Sequence, residues 1–252
     1  AAVAGTIICG AAHAATYCYW IGPNGGEWSN GANWKNGRIP TGAGDVARLS
    51  TTEAPDCGTL IALDNPEALT IDRIEALAGE WTIQLGGTLT FTNANVKTQT
   101  IDVEGDSKLT IAGGRIIGAC YRVASGLGGG ANQLVFRNTV SERAYTFTRA
   151  GTDADSPDTF TINGGIYGFR TWYPRLYDHM VVNSGLVTFG SIHGYDRYGE
   201  SKDIRREDAL RVNGGKVVVD GVDQDMISGS VGILAASNGV VDVQVGGNQI
   251  WL

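Results

Sequence analysis

The amino-acid sequence predicts an all-β fold, a right-handed parallel β-helix (β-solenoid) with an N-terminal tryptophan-rich cap and an apolar N-terminal strand. Three observations carry that prediction. A short alternating strand, a Gly-Gly or related polar turn and a second short strand recur along the chain. The phrase stands at Thr82–Phe91, Leu109–Ile116, Phe160–Tyr167, Val181–Val187, Leu210–Val217 and Leu234–Val241. Its markers are spaced by roughly 25 residues or multiples of that, the length of one solenoid turn. The composition agrees: 37 of 252 residues are Gly and 2 are Met, a balance that favours strands and turns over helices.

Taken in order, residues 1–16 are small, apolar and uncharged up to His13, with Thr6-Ile7-Ile8-Cys9 reading as a strand. Such a strand docks on a neighbouring subunit. Ala12-His13-Ala14 also resembles the cleavage site of a secretory signal, so the segment reads either as a docking strand or as a signal remnant. Residues 17–57 form a second unit, in which Trp20, Trp28 and Trp34 lie close together among Gly and Asn. Their large rings suit a lid over the open end of a solenoid. Residues 58–252 carry the repeats. Two interruptions, near 119–158 and 167–208, read as insertions on one face.

Trp20, Gly22, Gly25, Trp28, Asn33, Trp34, Pro40 and Asp45 follow the pattern W-x-G-x-x-G-x-x-W-x-x-x-x-N-W, then x-P and G-D. This opening resembles that of secreted bacterial proteins with right-handed parallel β-helix repeats, including autotransporter-passenger-like surface proteins. The likeness is clear over about 35 residues and loose over the repeats. It implies a secreted β-solenoid and carries no activity.

The net charge of −7 argues against a nucleic-acid partner, because phosphate binding needs clustered Lys and Arg. No apolar run is long enough to span a membrane as a helix. Cys9, Cys18, Cys57 and Cys120 are an even set in a Gly-rich β chain. They read as disulfides of an oxidising compartment, with free buried thiols as the alternative. Zinc is disfavoured because no C-x-x-C occurs.

Candidate chemistry is sparse. Asp153, Asp155 and Asp158 form D-x-D-x-x-D, a weak calcium candidate that lacks the EF-hand spacing. Asp220, Asp223 and Asp225 invite comparison with the carboxylate clusters of pectin-cleaving β-helices. Of the motifs that branch requires, only part of one, His193-Gly194, is found. Tyr167, Phe169, Trp172, Tyr173 and Tyr177 cluster in sequence with Arg170 and Arg175. Such a set reads as a subunit interface, a glycan platform or a local core. The Gly-rich run at 126–130 lacks the Lys-Ser/Thr of a phosphate loop.

The chain runs in repeat-like phrases to Ile250-Trp251-Leu252. A solenoid that continues so far without a polar lid exposes an apolar edge, and head-to-tail stacking on such an edge makes open filaments. The expected function is therefore an extracellular structural subunit, not an enzyme and without a cofactor, that assembles with itself into a fibre or surface layer. The expected contacts are Ile7, Ile8, Cys9, Tyr19, Trp20, Trp28 and Trp34 against Ile250, Trp251 and Leu252. The alternatives are a glycan-active or glycan-binding β-helix on cell-surface polysaccharide, such as a lyase or tailspike-like protein, and a fragment of an adhesin.

Overall fold

A computed structural model describes residues 15–64, 68–91, 99–124, 131–149, 158–173, 179–194, 209–220, 227–229, 233–236 and 238–244. In these, nineteen strands join into one hydrogen-bonded sheet wound on itself. They are β1 (Thr16–Tyr19), β2 (Gly26–Glu27), β3 (Asp45–Ser50), β4 (Leu60–Leu63), β5 (Leu69–Ile71), β6 (Arg73–Leu85) and β7 (Thr88–Phe91). Then follow β8 (Ile101–Val103), β9 (Ser107–Ala112), β10 (Arg115–Ile117), β11 (Cys120–Ala124), β12 (Gln133–Arg149), β13 (Thr159–Tyr173) and β14 (His179–Gly194). The last are β15 (Leu210–Val212), β16 (Gly215–Asp220), β17 (Ile227–Gly229), β18 (Ile233–Ala235) and β19 (Gly239–Gln244).

The strands are stacked in parallel, as a β-solenoid with three faces. The first face runs β1, β3, the start of β6, β8, β11, the ends of β12, β13 and β14, then β17. The second runs β2, β4, the end of β6, β9, the starts of β12, β13 and β14, β15 and β18. The third runs β5, β7, β10, the middles of β12, β13 and β14, β16 and β19.

Strand alternation sends every second side chain inward, and the parallel register stacks like on like. On the second face Ile61, Ile83, Ile111, Phe136, Ile162, Val182 and Val212 form one column. All seven are buried. Each side chain so enclosed contributes about 1.5–3 kcal/mol, so the interior columns hold the coils together.

The repeated turn marks the corner between the second and third faces. Gly165 has φ 98°, and a Cβ there would stand 2.1 Å from the Thr139 carbonyl oxygen. Gly215, with φ 79°, would place its Cβ 2.4 Å from the Gly185 oxygen. Both the left-handed backbone and the close approach of the coil above exclude a side chain. Beside this corner, Asn183 Nδ2 donates to Asn163 Oδ1 and Asn213 Nδ2 to Asn183 Oδ1, each at 2.8 Å. This asparagine ladder crosses three coils.

Two expectations change here. The stretches 119–158 and 167–208, read from sequence as insertions, are crossed by β11, β12, β13 and β14. Much of their length is regular coil. The repeat is hidden in β12 because its corner is Asn138-Thr139 rather than Gly-Gly. Asn138 adopts φ 52° and Thr139 lies opposite Gly165; Asn tolerates the left-handed region that the turn requires. Second, the tryptophan segment belongs to the ladders, through β1–β3 and β2–β4. Its rings join the same core as the later coils.

Candidate functional site

The richest constellation of charge lies on the outside of the first face. Successive coils place Tyr19 beside Arg48, Arg48 beside Glu75, Glu75 beside Asp102 and Asp102 beside Arg122. Arg48 Nε donates to Glu75 Oε2 at 2.7 Å and Arg73 Nη1 to Glu75 Oε1 at 2.9 Å. Arg122 Nε donates to Asp102 Oδ1 at 2.7 Å, while its Nη2 holds Asp102 Oδ2 and Glu104 Oε1. At the N-terminal end of the row the Arg48 guanidinium lies 3.7 Å from the centre of the Tyr17 ring and Arg48 Nη1 donates to Tyr19 Oη at 3.1 Å.

Glu75 and Asp102 are buried although they point away from the core. Burial pushes the Asp102 carboxyl above its ordinary value. The Arg122 guanidinium opposes that shift, and the charges of Glu104 and Glu75 add to it. The opposite holds at two turns nearer the N-terminus. Burial also raises Asp45, but the hydrogen bond from Arg38 and the N–H groups of Thr41 and Gly42 outweigh it, and its carboxyl sits below the ordinary range. Asp64 is lowered likewise, with Ser29 outweighing its burial.

Both oxygens of Glu75 and both of Asp102 receive guanidinium hydrogen bonds. A general base needs a lone pair within reach of the proton it takes. These carboxylates are turned into ties between coils instead. The row suits fastening, since charge-assisted bonds tie β3 to β6 and β8 to β11, with the Glu75 and Asp102 carboxylates side by side between the two ties.

A second polar tie runs inside the corner between the first and second faces. The Ser107 N–H donates to Asn132 Oδ1 at 3.1 Å. Asn132 N and Nδ2 both donate to Asp158 Oδ1, at 3.0 and 3.1 Å. Asp158 is fully buried, so it serves this strut rather than a solvent-facing calcium loop. Asp153 and Asp155 lie outside the described residues. Among the described residues no group of three His, Cys, Asp or Glu side chains is placed to hold a metal ion.

The expected aromatic cluster is divided by the fold. Tyr167 and Trp172 are buried, and Arg170 is exposed. Tyr167 stacks with Phe169 at 6.1 Å, Phe169 with Phe189 at 5.4 Å, and Trp172 with Phe189 at 5.7 Å. Tyr167 Oη donates to the Gly164 carbonyl at 2.9 Å, and burial pushes that hydroxyl up to about 12. These rings are core, which removes Tyr167 and Trp172 from any ligand platform or interface. Tyr173 ends β13 opposite Phe147; Arg175 and Tyr177 lie outside the described residues.

Trp20, Trp28 and Trp34 are likewise spent inside the chain, at 1 % exposure each. Trp34 meets Trp20 and Trp28 edge-on at 5.2 and 4.7 Å. Their indole N–H groups donate to the carbonyls of Gly58, Pro40 and Trp28. None of the three is free to touch a partner. Tyr19 is half-buried. Ile7, Ile8, Cys9, Ile250, Trp251 and Leu252 lie outside the described residues.

Cys18, Cys57 and Cys120 are free thiols, which corrects the expectation that they pair with one another. Cys18 and Cys120 sit on β1 and β11 of the first face, with β3, β6 and β8 between them. At about 4.8 Å per strand they are far beyond disulfide reach, about 7 Å between Cα atoms. Burial, helped by Asp102, pushes the Cys120 thiol up to about 12.

Sequence reasoning missed the Arg48–Glu75–Asp102–Arg122 row. Its members are 27, 27 and 20 residues apart, and only the register of the coils brings them together. No protein-family model matches the chain, and neither the curated proteins nor the solved structures give a match.

Proposed function

We propose that this chain is an extracellular structural subunit, a solenoid segment that a second copy continues end to end in a fibre or surface layer. The observation that supports it is where large apolar side chains are exposed. Seven are, among the described residues: Tyr17, Ile21, Leu60, Ile166, Leu186, Leu234 and Val240. Tyr17, Ile21 and Leu60 belong to the first coils, and Leu234 and Val240 to the last strands. Among the described strands, β1, β2 and β5 pair on one edge only, and so do β17, β18 and β19. An open parallel edge flanked by apolar side chains is a template for more strands, and joining unlike ends does not close.

The interior supports the same reading. Val217 and Val219 are fully buried, whereas Val241 and Val243, their register partners in β19, are only partly covered. The contacts differ from those the sequence suggested: Tyr17, Ile21 and Leu60 replace the buried tryptophans. Secretion and surface location rest on the resemblance of the Trp20–Asp45 opening.

Negative-stain electron microscopy of the full chain tests the proposal. Filaments are expected, shortened or abolished by Leu234→Lys, which adds a charge at an exposed position. Intact chain that stays in particles of one or two copies at every concentration would overturn it.

A further inference from the structure

Two of the exposed apolar residues, Ile166 and Leu186, belong to neither end. They lie side by side on the outside of the third face, at 55 % and 37 % exposure. One outward row there runs Arg115, Val140, Ile166, Leu186, Lys216 and Val240 over successive coils. The neighbouring positions carry Ile117 and Glu142, then, past a register shift after Ser141, Gly168 and Thr188 beside the apolar pair, then Val218 and Asp242. Arg115 Nη2 pairs with Glu142 Oε2 at 2.6 Å, and Lys216 Nζ with Asp242 Oδ2 at 2.9 Å. The apolar centre is therefore rimmed at each end by one cation and one anion.

We infer that this face pairs two copies of the chain side by side and antiparallel, about a twofold axis between Ile166 and Leu186. Such an axis sets Arg115, Val140 and Ile166 on one side and Leu186, Lys216 and Val240 on the other. It lays Ile166 on Leu186 of the second copy. It brings the coil of Arg115 opposite the coil of Asp242, and the coil of Glu142 opposite that of Lys216. Each rim cation is then level with an anion of the second copy one row across, so the surface is self-complementary, as a twofold contact requires. The parallel alternative sets Arg115 level with Arg115 and Lys216 level with Lys216, and like charges disfavour it. Gly168 and Thr188 keep the centre low, which lets the two sheets approach. The apolar pair supplies the attraction, and the rim charges select the direction.

This lateral contact is independent of the end-to-end contact proposed above. The test uses sedimentation velocity over a dilution series, with Leu234→Lys as the background if filaments form. The expected species has twice the chain mass. Leu186→Asp weakens pairing at least about tenfold, while its circular dichroism melt stays that of the parent. Glu142→Lys and Lys216→Glu each weaken pairing, and the double variant recovers it. Recovery isolates the contact between copies, because within one chain the double variant creates two like-charge neighbours. A single-chain mass throughout, pairing indifferent to Leu186→Asp, or a double variant weaker than either single would overturn the inference. So would a chain that stays single and floats with phospholipid vesicles, which would assign the face to a membrane surface.

Discussion

The first and third faces are built on the same parallel ladder, and their outward rows are opposites. On the first, the charges are satisfied in two clusters, Arg48 and Arg73 on Glu75, and Arg122 on Asp102 and Glu104. On the third, Ile166 and Leu186 stand exposed between two separate ion pairs. The difference teaches that a solenoid's backbone is neutral as to use. A row whose charges are mutually satisfied and partly buried is a fastening. A row that leaves apolar surface uncovered is a surface to be met.

The sharpest way to break this contrast is Arg122→Met. It strands Asp102 beside Glu75 and frees Glu104, and losing one partner of a buried pair costs about 3–5 kcal/mol. Urea denaturation should show that loss. Equal stability would mean that the first-face row fastens nothing.

The next effect is a matter of pH. Because Asp102 is held above its ordinary value, the folded chain binds that proton more tightly than the unfolded one. Its contribution to stability is full below the unfolded value near 3.8 and is lost as pH rises through the folded value. Asp45, held low by Arg38, Thr41 and Gly42, contributes above 3.8 and is lost as pH falls through its folded value. In urea titrations, Asp102→Asn should gain on the parent as pH rises above 3.8. Asp45→Asn should lose ground as pH rises towards 3.8.

A smaller effect is expected at the corner. Asn183→Ala breaks both rungs of an exposed ladder and should cost about 1 kcal/mol, measured by thermal melting. The smallest is Ile166→Asp. It touches an exposed side chain and should change the stability of the single chain by less than about 0.5 kcal/mol. A large loss there would make the third face part of the fold rather than a contact surface.

The strand–turn–strand phrase made the solenoid legible in the sequence, because Gly113-Gly114, Gly164-Gly165 and Gly214-Gly215 mark corners where the coils crowd together. The same signal failed at Asn138-Thr139, where Asn does the work of Gly. It left β12 and its neighbours to be read as insertions. The aromatic run at 167–177 was legible as a cluster, with a local core as one of three readings. Alternation puts Tyr167 and Phe169 on one side and Trp172, an odd step away, on the other; only the closed coil, which turns from the third face to the first between them, brings all three inward.

The sequence by itself determined the fold class, the coil length and the polar corners. These follow from period-two alternation and from turns that only Gly or Asn can take. Tertiary structure alone decided which of two alternating sides faces in and which residues of distant coils become neighbours. It thereby buried Trp20, Trp28 and Trp34, joined Arg48, Glu75, Asp102 and Arg122, and left Ile166 and Leu186 exposed. The reason is geometric. Register between parallel coils depends on the length of every intervening turn, and no local pattern records that sum.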